Sequence, residues 1–171
     1  MKILVLSGSP RAKGKTAQMV AAFKEGAESA GHEVVIYDTA KMKIGGCLAC
    51  EYCHTKGNGT CVQQDDMQQI YPDLYSADAV VFASPIYYFT MTAQIQAAIQ
   101  RFYPRLDIDN IKKYAVILCS MSPGVYSGSE YELADMAGYL GWDKAGEVTV
   151  CGDDNISEEK LAEARELGKN M

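Results

Sequence analysis

The chain has no basic stripe. Its 16 Lys and Arg are outnumbered by 22 Asp and Glu, giving a net charge of -6 and a pI near 4.9. The basic residues are scattered singly or in pairs, so nothing is patterned for nucleic acid or anionic lipid. No apolar run approaches the ~18 residues of a membrane span, and no terminal stretch has the charged, apolar and small-residue order of a signal peptide. A cytoplasmic location is therefore expected. Repeats, low-complexity tracts and linkers are also missing, which makes a single domain over residues 1–171 the expectation, and 48% hydrophobic residues suffice for one core. Histidine is scarce: His32 reads as a surface turn residue and His54 as an exposed loop residue.

A dinucleotide fingerprint is absent too, and what stands in its place organises the chain. Lys2 to Leu6 (KILVL) is a near-continuous apolar run suited to a central parallel strand. Beyond Thr16 the period changes, with Met19, Val20, Phe23 and Ala27 on one helical face until Gly31 ends it. The loop between them, Ser7 to Thr16 (SGSPRAKGKT), offers unpaired helix-start amides and the positive end of a helix dipole, which together make a phosphate cradle. Gly14-Lys15-Thr16 imitates the end of a triphosphate P-loop, but five residues rather than four separate Gly8 from Gly14. The hydroxyls of Ser7, Ser9 and Thr16 with Arg11 suit a terminal phosphate monoester instead.

Strands and helices alternate along the rest. His32 to Tyr37, Ala77 to Ala83, Tyr114 to Ser120 and Ala145 to Val150 read as strands, with Ala77 to Ala83 ended by Ser84-Pro85 and the last strand lying at an edge. Helices are expected after Asp65-Asp66, kinked or split at Pro72, after Thr92, after a capping box of Ser129 and Glu132, and after Ser157. Five strands and five helices predict an α/β three-layer sandwich with a parallel sheet in the order 2-1-3-4-5. Its ligand would lie beyond the carboxyl ends of the strands, where Ser7 to Thr16, Ser84 to Phe89 and Ser120 to Gly124 converge. In the second loop Pro85 and Ile86 lead into three consecutive aromatics, Tyr87, Tyr88 and Phe89. They suit the wall of a site for a planar ring, or else packing under the next helix or against another subunit. Ser120 and Gly124 could reach the ring edge.

Residues 45–64 carry C-x2-C-x2-C-x7-C, from Cys47, Cys50, Cys53 and Cys61, in a chain with no sign of export. Three thiolates at successive spacings of three can wrap one face of a [4Fe-4S] cubane, with the fourth returned by Gly57-Asn58-Gly59. Zinc sites more often divide their ligands into two separated pairs. Cys119 and Cys151, in or beside strands, read as small core residues.

The loop GSPR followed by G-x-T resembles the phosphate loop of the flavodoxin-like NAD(P)H-dependent FMN reductases, with Lys15 where that family most often has Asn. Pro85, Ile86, Tyr87 and Tyr88 match the family segment that lines the flavin. The cysteine pattern, with Asp65-Asp66-Met67 after it, is similar to that of the iron–sulfur flavoproteins. The resemblance implies a flavodoxin-like fold, FMN held by Ser7, Ser9, Pro10, Arg11, Gly14, Lys15 and Thr16 and by residues 85–89, NAD(P)H as co-substrate, a small-molecule electron acceptor, and a homodimer or higher oligomer. It leaves two roles for the cysteines, since otherwise similar flavin reductases carry them as free thiols or a reversible disulfide. It also leaves an electron carrier as the alternative to a reductase. Relatives commonly have Lys and Asp-Arg in the helix after the aromatic loop, where this chain has Gln96, Gln100 and Arg101.

Overall fold

The computed structural model describes residues 1–153 and 155–171. Five parallel strands form one sheet: β1 (Lys2–Ser7), β2 (Glu33–Asp38), β3 (Ala79–Tyr87), β5 (Lys113–Cys119) and β6 (Asp143–Val150), joined by a two-residue β4 (Thr90–Met91) that folds back antiparallel on the end of β3. The sheet order is β2-β1-β3-β5-β6. Counting the parallel strands alone, this is the expected 2-1-3-4-5. Helices α1 (Lys15–Ser29), α2 (Met67–Leu74), α3 (Ala93–Gln100), α4 (Ser127–Leu140) and α5 (Glu158–Lys169) complete the sandwich, and no helix among the described residues is long and apolar enough to cross a membrane.

Alternation along the strands sorts the core into two layers, because successive side chains leave opposite faces. Leu4, Leu6, Phe82 and Val116 pack with Ile70 of α2, Ile95 of α3 and Leu133 of α4. Ile3, Val5, Val81 and Ile117 pack with Met19 and Phe23 of α1 and Ala164 of α5. Helices α1 and α5 cross at backbone contact. A Cβ on Gly26 would fall 1.9 Å from the Arg165 carbonyl oxygen, and one on Gly168 would fall 2.1 Å from that of Phe23.

Several local expectations need correction. β3 does not stop at Ser84-Pro85 but runs to Tyr87. Its β1 partner ends opposite Ala83, so Pro85 is paired on the β5 side, opposite Cys119, and such one-sided pairing tolerates proline. Pro72 does not split α2, which ends two residues after it. The Ser129–Glu132 capping box does not form. Helix α4 starts earlier, at Ser127; Ser129 Oγ is buried without a partner; Glu132 accepts from Gln96 Nε2 of α3 at 2.8 Å. Ser157 does cap α5, accepting from the Lys160 amide at 3.3 Å. Cys119 is buried as expected, whereas Cys151 lies just past β6 and is exposed.

Candidate functional site

The carboxyl ends of β1, β3 and β5 open into a cleft of about 270 Å³. Its floor is the turn from β1 into α1. Gly14 heads that helix with no side-chain cap, so first-turn amides that no intrahelical carbonyl can reach sit beside the cleft. Ser9 shapes the approach: its hydroxyl accepts from the Arg11 amide and donates to the Arg11 carbonyl, both at 3.3 Å. Gly8 passes so close to α3 that a Cβ would lie 2.5 Å from Thr92 Oγ1. Small residues in this loop are thus a packing requirement as well as a binding device.

The opposite wall is the β3–β4 hairpin. Tyr87 pairs with Thr90, leaving Tyr88 and Phe89 as the two turn residues, at φ 53° and 68°. Two consecutive positive φ values mark a type I′ turn, which Asn-Gly sequences favour and aromatic residues strain. Tyr88 is 98% exposed and Phe89 65%. A strained turn carrying two large aromatics into solvent at the mouth of a cleft points to contact with something outside the chain. Of the two readings of this segment, packing under the next helix is therefore wrong for Tyr88.

Lys15 is buried against the floor. Its ammonium donates to the Ser120 carbonyl at 2.6 Å and also to the Gly152 carbonyl, so it ties the loops after β5 and β6 to the start of α1. Beside it, the Cys119 thiol is pushed up by burial, against a smaller opposing effect of Thr16 and Lys15. Ser120 Oγ is 2.7 Å from the Tyr126 hydroxyl and donates to the Ser122 carbonyl at 2.6 Å.

A second recess, about 20 Å³, lies under the cysteine loop, and Cys47, Cys50, Cys53 and Cys61 all border it. The loop has little regular structure beyond a short turn at Tyr52–His54. Ala49 and Glu51 take positive φ values of 50° and 55°, and the Ala49 amide donates to Cys47 Sγ at 3.4 Å. Cys53 is buried and its thiol is pushed up by that burial. None of the six cysteines forms a disulfide, and no three His, Cys, Asp or Glu side chains among the described residues converge to hold an ion. His54 is exposed and meets the Tyr103 ring edge-on at 4.6 Å.

The loop is anchored by Arg101, 1% exposed, just past α3. Its two terminal nitrogens donate to Asp65 at 2.7 and 3.2 Å, and one also to the Gly45 carbonyl at 2.9 Å. Asp65 in turn accepts from the amides of Gly45 at 2.9 Å and Met67 at 3.2 Å. Burial pushes the Asp65 carboxyl up, but Arg101 and these amides outweigh it and hold the group below the usual carboxylate range. Gln100 Oε1 takes the Cys47 amide at 3.3 Å.

Of the residues singled out from sequence, Ser9, Arg11, Gly14, Lys15, Thr16, Pro85, Ile86, Tyr87, Tyr88, Phe89 and Ser120 border the cleft. Ser7 ends β1 with its carbonyl taken by Thr39 Oγ1, Pro10 is exposed, and Gly124 serves a turn at φ 73°; these three are not among the described residues lining it. Met121 and Ser122 line it from the loop expected there, and Cys119 and Val125 line it unannounced. Their position follows from β5 reaching the switch point, and Cys119 was legible only as a core residue.

The family model for NADPH-dependent FMN reductases matches residues 1–150. An iron-sulfur flavoprotein of Archaeoglobus fulgidus is 38% identical over 104 residues, 61% of this chain and 46% of that protein. Another, of Methanocaldococcus jannaschii, is 36% identical over 101 residues, 59% of this chain and 50% of that protein. The matched stretch spans about half the length of these relatives. Among solved structures, the NAD(P)H:quinone oxidoreductase from Methanothermobacter marburgensis matches with a TM-score of 0.80 and 22% identity over 99% of this chain and 95% of its own. An FMN-dependent NADH-azoreductase from Bacillus anthracis, in complex with FMN, gives 0.67 and 15% over 99% and 96%. At such identities these two show a shared fold. With the family match running from β1 through β6 and all three loops of the cleft inside it, the chain belongs to the NADPH-dependent FMN reductase family.

Proposed function

We propose that the chain is an FMN-dependent oxidoreductase that accepts a hydride from NADH or NADPH and passes electrons to a small-molecule acceptor, such as a quinone, a nitro or azo compound, a metal ion or free flavin. The observation that carries this reading is the convergence, in one cleft at the strand switch point, of an uncapped helix start and an exposed aromatic hairpin. A phosphate monoester fits the first and a planar ring the second, so the residues present fit FMN. The first-turn amides of α1 and the hydroxyls of Ser9 and Thr16 would hold the phosphate. Pro85, Ile86 and Tyr87 would pack the ring and exclude water from one face, with Ser120 and Ser122 near its polar edge.

FMN supplies the hydride and electron chemistry when bound. The chain's own task is to bind, orient and shield it, and no side-chain acid or base is required of the cleft. Exposed Tyr88, Phe89 and Met121 at the rim support a homodimer in which a second copy covers the site, checked by light scattering. The activity is tested by adding NADPH anaerobically to the FMN-loaded chain with no other reductase. Bleaching of the flavin at catalytic rates is expected, and its absence would turn the assignment to an electron carrier.

That second reading, an FMN carrier protein with a [4Fe-4S] cluster, is favoured by four thiols bordering one recess, although no three of them converge to hold an ion among the described residues. Cys47, Cys50, Cys53 and Cys61 would be the ligands. Iron and acid-labile sulfide analysis of anaerobically purified protein tests it: about four of each per chain supports a cluster, and none leaves reduced thiols.

A further inference from the structure

Two basic side chains are almost completely buried, Arg101 at 1% exposed and Lys15 at 4%, and their surroundings differ. Arg101 is neutralised by Asp65 at 2.7 Å. Lys15 has no such partner. Its ammonium donates to the carbonyl oxygens of Ser120, at 2.6 Å, and of Gly152, and no carboxylate among the described residues pairs with it. Carbonyl dipoles solvate a cation but leave its charge in place, and a buried charge without a counter-charge is among the costliest groups a fold can hold.

The local backbone adds to this charge instead of offsetting it. Lys15 is the first residue of α1, at the positive end of the helix dipole, where an acidic side chain would be the stabilising choice. The first turn holds no Asp or Glu, and Gly14 before it offers no capping oxygen. Cys119 does not serve as the counter-ion either, because burial pushes its thiol up and keeps it protonated. A chain of net charge -6 has carboxylates to spare, so their absence from this one place marks it out. Lys15 and Ser120, whose carbonyl takes its ammonium, both border the cleft. The missing negative charge is therefore one that enters through the cleft.

We propose that Lys15 is a specificity-determining residue: its buried ammonium and the α1 amides form one positive centre that a phosphate dianion completes, so that the cleft selects a phosphorylated flavin over its neutral counterpart. The inference rests on the FMN reading above. It adds that the charge of Lys15, and not only its bonds to the loops after β5 and β6, sets the selectivity. A phosphate monoester is largely dianionic at neutral pH, whereas riboflavin offers the same ring with no charge to place there.

The test titrates the cofactor-free chain with FMN and with riboflavin, followed by quenching of flavin fluorescence. Lys15→Gln removes the charge and retains N–H donors on that side chain. It is expected to weaken FMN by roughly tenfold or more and riboflavin by less than about twofold, so that the parent's preference for FMN collapses. Equal weakening of both flavins would make Lys15 a structural clamp and overturn the proposal, and so would an unchanged FMN affinity; either result leaves the FMN reading standing. A parent chain that binds neither flavin would overturn both. A second measurement needs no variant. Millimolar inorganic phosphate, at an ionic strength held constant with chloride, is expected to raise the Tm of the cofactor-free parent. No rise would overturn the positive centre.

Discussion

The cleft and the cysteine recess are both sites beside one sheet, yet they are held in place by different means. The cleft is a consequence of the fold: three parallel strands end together, a helix starts there, and the backbone itself supplies the amides and the hairpin wall. The recess hangs on side chains, with Arg101, Asp65 and Gln100 pinning a loop that has almost no ladder of its own. A site made of strand ends survives most substitutions that leave the sheet intact. A site made of a pinned loop is lost with its pin.

Substitutions that disturb one site and spare the other test this contrast. The largest effect is expected from Arg101→Ala, which leaves the partly buried Asp65 carboxylate with only the Gly45 and Met67 amides, at a cost of about 3 kcal/mol. Urea unfolding should read that loss, and hydrogen exchange should show residues 45–64 deprotected while FMN affinity is unchanged. If FMN affinity falls in parallel, the two sites are not separately supported. Lys15→Met should do the reverse. It strips the donor from the Ser120 and Gly152 carbonyls, for which about 1.5–3 kcal/mol is expected, and it should weaken FMN by roughly ten- to a hundredfold with the cysteine loop still protected.

A smaller effect, of opposite sign, is expected from replacing Tyr88-Phe89 by Asn-Gly. The type I′ turn then carries residues suited to positive φ, and stability should rise by about 1 kcal/mol, or ~2–4 °C in Tm. Reduction by NADPH should slow because the exposed rim is gone. A fall in Tm would mean that the aromatics stabilise the hairpin in the isolated chain.

The smallest effect concerns pH. The folded-state pKa of Asp65 lies below its unfolded value of about 3.9, so its contribution is full above that value and is lost as pH falls through the folded pKa. The stability gap between the parent and Asp65→Asn should therefore be constant near neutrality and close below about pH 4. A gap that persists in acid would assign the anchoring to something other than the charge pair.

The cleft was the more legible of the two in sequence, for the same reason that it is the more robust. A buried apolar strand, a Gly- and Ser-rich loop and an amphipathic helix are local signals, and together they place Ser9, Gly14 and Thr16 at the cleft they border. The sheet order followed from alternation and crossover handedness. Lys15 was legible as a departure from the family pattern but not as a clamp, because its partners are carbonyls more than a hundred residues away. The turn at Tyr88-Phe89 gave no sign of itself, since neither residue favours positive φ and the strand before it runs through a proline. For the recess, the cysteine spacing was plain, but the Arg101–Asp65 pair depends on two separate segments meeting. The failed capping box makes the same point: Glu132 had the right spacing to Ser129, and a glutamine on a neighbouring helix took it instead.

The central claim is that the cleft recognises a flavin through its phosphate. Equilibrium titration of the cofactor-free chain with FMN and with riboflavin, followed by quenching of flavin fluorescence, tests this directly. The account predicts one FMN per chain, bound more than about tenfold tighter than riboflavin, because only FMN carries the phosphate that the α1 amides and the Ser9 and Thr16 hydroxyls would hold. Equal affinity for the two, or no binding of either, would contradict it.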